Sequence, residues 1–199
     1  VRYLGCSNFE AWRLLDAWWT AEAKGWTRLV AHQPQYNLMV RDIEEEIVPA
    51  CRAKGVGIVP WGPMAGGYLT GKYKPGEEAI RAGTRSEDGW VFPERFFAEN
   101  ADAILETFLR VSEELGKPPA QVALRWAVQQ PGITAVIAGA RNVEQLETNL
   151  MAASWTLDDA AEQRLTEGSQ PRVRYPWAME SGMRKRRADA VEAPRWPDR

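Results

Sequence analysis

In the stretch WGPMAGGYLTGKY (61–73), Gly66, four further residues and then Gly71-Lys72 follow an apolar run. That is the spacing of a phosphate-binding loop, in which glycines let the backbone approach phosphate and a lysine supplies charge. The next position should carry a hydroxyl for Mg²⁺, and here it is Tyr73; the KPGEE that follows does not start a helix at once. Residues of related chemistry leave other apolar runs: Ser7-Asn8, Gln33, Trp61-Gly62-Pro63 and Gly139-Ala140-Arg141-Asn142. A hydroxyl and side-chain amides both donate and accept hydrogen bonds, and an indole offers a flat face. A guanidinium beside a helix start meets an anion. Together these groups suit a ligand that carries a carboxamide, an aromatic ring and phosphates.

The elements that must position them alternate. Four short runs rich in β-branched residues are expected as strands: VRYLGCS (1–7), RLVAHQ (28–33), VGIVPW (56–61) and ITAVIAG (133–139). EAWRLLDAWWTAEAKG (10–25) repeats apolar residues at helical spacing and stops on Gly25. RDIEEEIVPACRAKG (41–55) is expected as a second helix, closed by Gly55 and kinked at Pro49. Further helices are expected near 100–115, 119–130, 142–153 and 157–167, the last with Thr156 as its N-cap. Residues 62–98 form a long Gly- and charge-rich connection, expected to be a functional loop or lid. Residues 170–180 are expected as an extended strap. In 181–199, six basic residues stand against three acidic ones, and the segment is expected to be a disordered tail. Repeated strand–helix alternation predicts an α/β fold with a parallel sheet buried on both faces. Four units are half of an eight-unit (β/α) barrel or a small open sheet, and a whole barrel usually takes about 250 residues.

Composition narrows the function. A net charge of −2 argues against nucleic acid or a membrane surface as partner. No run approaches the ~20 apolar residues of a membrane span. Two cysteines, Cys6 and Cys51, make no disulfide framework and fit a cytoplasmic, reducing setting. One histidine, His32, excludes a His/Cys metal cluster as the main idea. It shares a strand with Gln33, so the two side chains face opposite ways, and His32 is read as structural. Trp12, Trp18, Trp19 and Trp126, on helical faces, are read as core or interface.

In order along the chain, GCSNF (5–9), QPQYNLMVRDIEEEIVPAC (33–51), VPWGPMAGGYLTGKY (59–73) and GARNVEQLETNL (139–150) resemble the fifth to eighth units of the aldo-keto reductases. These are NADPH-dependent (β/α)₈-barrel enzymes, and the resemblance covers residues 1–180. It implies that Ser7, Asn8 and Gln33 hydrogen-bond the nicotinamide carboxamide and that Trp61 stacks on the ring. It implies that Gly62, Pro63, Met64, Ala65, Gly66 and Lys72 run along the pyrophosphate. Gly139 and Arg141 would meet the adenosine 2′-phosphate, which selects NADP(H), while Gln145 and Asn149 reach the ribose phosphate and adenine. The family often has Glu immediately before that Asn; here Thr148 stands there.

The family's catalytic Asp, Tyr, Lys and His lie on its first four units, and none of those motifs occurs here. None of Tyr3, Tyr36, Tyr68, Tyr73 and Tyr175 has the catalytic context, so no catalytic residue is assigned. The chain opens inside an apolar run, without methionine, and is read as an incomplete gene product holding the C-terminal half of a barrel. The expected function is reduction of aldehydes and ketones, with this chain inactive alone. Its open strand edges predict self-association. Two alternatives stand beside this reading. One is a non-catalytic nucleotide-binding regulator similar to potassium-channel β-subunits. The other is a phosphate-ester enzyme using Arg141 and Lys72, which leaves Ser7, Asn8 and Gln33 unexplained.

Overall fold

The computed structural model describes residues 1–77 and 100–179. Strands β1 (Leu4–Ser7), β2 (Leu29–Gln33) and β3 (Gly57–Ile58) form a parallel sheet in the order β1-β2-β3. In register, Cys6 lies opposite His32 and His32 opposite Ile58. The fourth expected strand, 133–139, is not one. It joins the sheet only at a bridge between Ile58 and Ile133. It still runs alongside β3, since Thr134 N–H donates to Ile58 O (2.8 Å) and Ile137 N–H to Pro60 O (2.9 Å). The ladder goes no further because the next N–H that β3 would have to donate belongs to Pro60, which has none, while the Thr134 hydroxyl accepts from Ile58 N–H (3.2 Å) at the bridge itself. Gly57 permits that approach: a Cβ there would lie 3.1 Å from Thr134 Oγ1.

Helix α1 (Ala11–Lys24) ends on Gly25 at φ 64°, whose N–H meets the last-turn carbonyls. The expected helix over 41–55 is two pieces, a 3₁₀ turn at Asp42–Glu44 and α2 (Ile47–Lys54). Pro49 therefore does not kink a helix; it sits in the first turn of one. There its missing N–H costs nothing, and its ring blocks continuation back through Glu45. Helices α3 (Ala101–Glu114), α4 (Pro119–Gln129), α5 (Val143–Leu150) and α6 (Asp159–Gly168) follow, with 3₁₀ segments at Ala65–Thr70 and Met151–Ser154. The α6 cap is Asp158, which accepts from Ala161 N–H (2.7 Å), not Thr156. Leu157 between them is buried, and its N–H is held by Gln129 Oε1 (3.0 Å), so the chain stays extended to that point. Within the expected strap, 177–179 form a helical turn. Most of the expected lid and the whole expected tail lie outside the described residues.

The core lies on one side of the sheet, where Leu14, Ile58, Leu105, Phe108, Trp126 and Leu165 pack together. His32 and Ile58 face it. Gly5, Ser7, Ala31 and Gln33 occupy the alternate positions on the opposite face, and Gly5, Ser7 and Gln33 are not buried, so the sheet is not covered on both faces by the described residues. His32 is structural: its Nδ1 lies 3.2 Å from Cys6 Sγ and 3.3 Å from Cys6 O. Burial pushes the Cys6 thiol up and the His32 imidazole down, so the pair is neutral at pH 7. Trp126 is core, whereas Trp12 and Trp19 are 63% and 54% exposed, with Arg13 and Lys54 over their rings. Among the described residues no helix is long and apolar enough to cross a membrane.

Candidate cofactor site

Because the strands are parallel, their carboxyl ends share one edge of the sheet, and the predicted site residues gather there. Ser7 Oγ donates to Gln33 O (2.8 Å) and accepts from Asn8 Nδ2 (2.9 Å). Asn8 takes a left-handed backbone (φ 54°), and its N–H also reaches Gln33 O (3.2 Å). Trp61 joins the cluster from three residues beyond β3, its indole N–H donating to Asn8 Oδ1 (2.9 Å). The Trp61 backbone is pinned as well, by N–H to Pro34 O (2.9 Å) and by Tyr36 N–H to Trp61 O (3.3 Å). The ring is thus tethered at both ends.

These bonds leave a defined remainder. The Ser7 proton is committed to Gln33 O, so Ser7 offers only a lone pair. Asn8 retains one N–H and one lone pair, and the Gln33 side-chain amide has no hydrogen-bond partner among the described residues. A donor and an acceptor side by side fit a carboxamide.

The loop after Trp61 is shaped by left-handed residues: Gly62 (φ 67°), Gly66 (66°), Gly67 (109°) and, without a glycine, Ala65 (49°). Ala65 holds that conformation with its methyl buried in the core, and Pro63 is buried beside it. Met64 packs against the same core. Of the loop residues assigned to the pyrophosphate, Pro63 and Ala65 thus have buried side chains and Met64 a partly buried one. Lys72 is exposed near the loop's end. The loop rests on α4, where a Cβ on Gly71 would lie 3.0 Å from Pro119 Cγ. Tyr73 is buried, its ring 5.1 Å from that of Tyr68, so it anchors the loop and offers no hydroxyl to a metal.

The last exit lies next to Trp61, because Ile137 N–H is bonded to Pro60 O. Asn142 caps α5, accepting from Gln145 N–H (2.8 Å). Gln145 Oε1 accepts from Arg141 N–H (3.0 Å), and Asn149 Nδ2 donates to Gly139 O (3.3 Å). Gln145 and Asn149 thus brace the 139–141 loop from the helix. The Arg141 guanidinium is exposed and has no partner among the described residues, at the positive end of α5.

One buried polar residue behind the glycine loop had no part in the sequence reading. Asn37 is fully buried; its Nδ2 donates to Gly62 O (2.9 Å) and its Oδ1 accepts from Met39 and Val40 N–H (2.9 and 3.0 Å). An Asn just after an expected strand signals a turn and nothing more.

The model of the Aldo/keto reductase family matches residues 1–169. The chain belongs to the aldo/keto reductase family. It is 35% identical over 182 residues to an uncharacterized oxidoreductase, YrpG, of Bacillus subtilis, covering 89% of this chain and 53% of that protein. An aldo-keto reductase of Fusarium vanettenii is 33% identical over 86% of this chain and 45% of its own. A probable voltage-gated potassium channel subunit beta of Arabidopsis thaliana is 29% identical over 75% of this chain and 46% of its own. The chain spans about half the length of these relatives.

Proposed function

We propose that this chain is the cofactor-holding part of an NADP(H)-dependent oxidoreductase that reduces aldehydes and ketones to alcohols. The Arg141 guanidinium, without a partner among the described residues, stands at the capped start of α5 alongside the Trp61 exit and carries the reading. An anion fits there, and the open amides of Gln33 and Asn8 fit a carboxamide at the other end of the edge. Asn8 and Gln33 would orient the nicotinamide and Trp61 would cover its ring. The glycine-bearing loop at 62–67 would follow the pyrophosphate, and Arg141 would select the 2′-phosphate. The bound cofactor supplies a hydride to the carbonyl carbon. No residue of this chain is assigned the protonation of the oxygen, so the chain alone is expected to be inactive. The parallel units would be half of an eight-unit barrel. Its two unpaired cysteines support a reducing, cytoplasmic setting.

The relative named as a potassium channel subunit beta favours a second reading, a nucleotide-binding regulator with the same site and no chemistry. Both readings require the dinucleotide. NADPH titrated into the 199-residue chain should quench its tryptophan fluorescence. Arg141→Glu should weaken NADPH by about 100-fold, the loss of a charge-assisted phosphate contact, and leave NADH unchanged. Failure to bind NADPH, or equal binding by the variant, refutes the assignment.

A further inference from the structure

We propose that Asn37 is a positioning residue of the dinucleotide site, one that turns the Gly62 carbonyl away from the ligand. The inference rests on the cofactor reading above and adds a residue to it. Gly62 precedes Pro63, which has no N–H, so this peptide can offer a phosphate only a carbonyl oxygen. An oxygen aimed at an anion repels it. Here Gly62 O accepts two bonds, from Asn37 Nδ2 (2.9 Å) and from Ala65 N–H (2.9 Å). Asn37 is fully buried, so the oxygen points into the protein. The left-handed φ of Gly62 (67°) is the backbone that permits this orientation directly after Trp61.

The other end of Asn37 explains why an amide is needed. Its Oδ1 holds Met39 and Val40 N–H in a tight turn, so one side chain ties the exit of β2 to the exit of β3. A carboxylate would keep the turn and lose the clasp. A serine would keep part of the turn and would not reach Gly62.

Asn37→Asp and Asn37→Ser separate these roles. Both should weaken NADPH roughly tenfold, the worth of one buried hydrogen bond, and leave adenosine 2′-phosphate, which reaches only the Arg141 end, bound as in the wild type. Hydrogen exchange on the free chain should speed up at the Ala65 amide, while Met39 and Val40 stay protected in Asn37→Asp. Unchanged NADPH affinity in a folded variant overturns the proposal. So does an equal loss for both ligands, which a merely structural residue would give. A wild-type chain that binds neither ligand overturns the cofactor reading instead. An unchanged Ala65 exchange rate then overturns the clasp independently.

Discussion

Replacing Arg41 by Met tests how the turn before α2 is held. Arg41 is only 6% exposed, and its Nε and Nη2 take both oxygens of Glu44 (2.8 and 2.9 Å). Its Nη1 donates to Thr166 O and to Ser169 Oγ (2.9 Å), and its guanidinium lies 5.5 Å from the Trp126 ring centre. Tyr36 OH adds a third bond to Glu44 (2.6 Å), and burial, with the Glu44 charge, keeps that phenol protonated well past its ordinary range. Met retains the stem volume and removes every donor. Breaking a buried pair from one side costs about 3–5 kcal/mol. Glu44 is 32% exposed, so water recovers part of this, and ~3 kcal/mol is the expected loss. Glu44→Gln strands the Arg41 charge and should cost about as much. The double variant carries neither charge, so its cost should also stay near ~3 kcal/mol, well short of additive. Urea unfolding followed by tryptophan fluorescence and circular dichroism measures all three. An additive double variant, at about 6 kcal/mol, would refute the coupling.

Cys51 is buried, and burial raises its thiol from 9.0 to about 11. The unfolded thiol gives up its proton first, so stability should be intact below pH 9 and fall by ~1.4 kcal/mol per pH unit toward pH 11. Cys51→Ala should lack that component; an equal slope in both chains counts against it. Asp158→Ala should cost about 1 kcal/mol in thermal or urea unfolding and Thr156→Ala almost nothing, and the reverse order would contradict the observed cap. Tyr3 and Leu4 are exposed by the outer edge of β1 and Ile137 by the outer edge of 133–139, so the chain should self-associate. A monomer whose sedimentation is independent of concentration would rule that out.

Local chemistry made part of this structure legible. Gly25 and Gly55 both close helices in the left-handed conformation that glycine favours, and alternation alone set His32 and Gln33 on opposite faces. Strand ends also placed Ser7, Asn8, Gln33 and Trp61 along one edge. What the sequence hid depends on partners far along the chain. The run at 133–139 has strand composition, but its neighbour Pro60, more than 70 residues earlier in the chain, lacks the N–H that the next rung of the ladder needs. Thr156 looks like a cap until Gln129 claims the N–H of Leu157. Asn37 looks like a turn former because its partner at Gly62 is 25 residues away. The bond from Trp61 to Asn8 spans 53 residues and had no local signal.

Helix α4 packs against the Ala65–Thr70 loop, against α5 and against the Met151–Ser154 turn. The glycine loop and the helix behind Arg141 therefore lean on a single 11-residue rod, about 16 Å long. That rod acts as a ruler between the glycine loop and Arg141. Val122, Ala123 and Leu124 are buried in that rod, and their bulk sets the calibration. Cofactor preference in this chain could thus drift through apolar changes inside α4 while every polar residue of the site stays as it is.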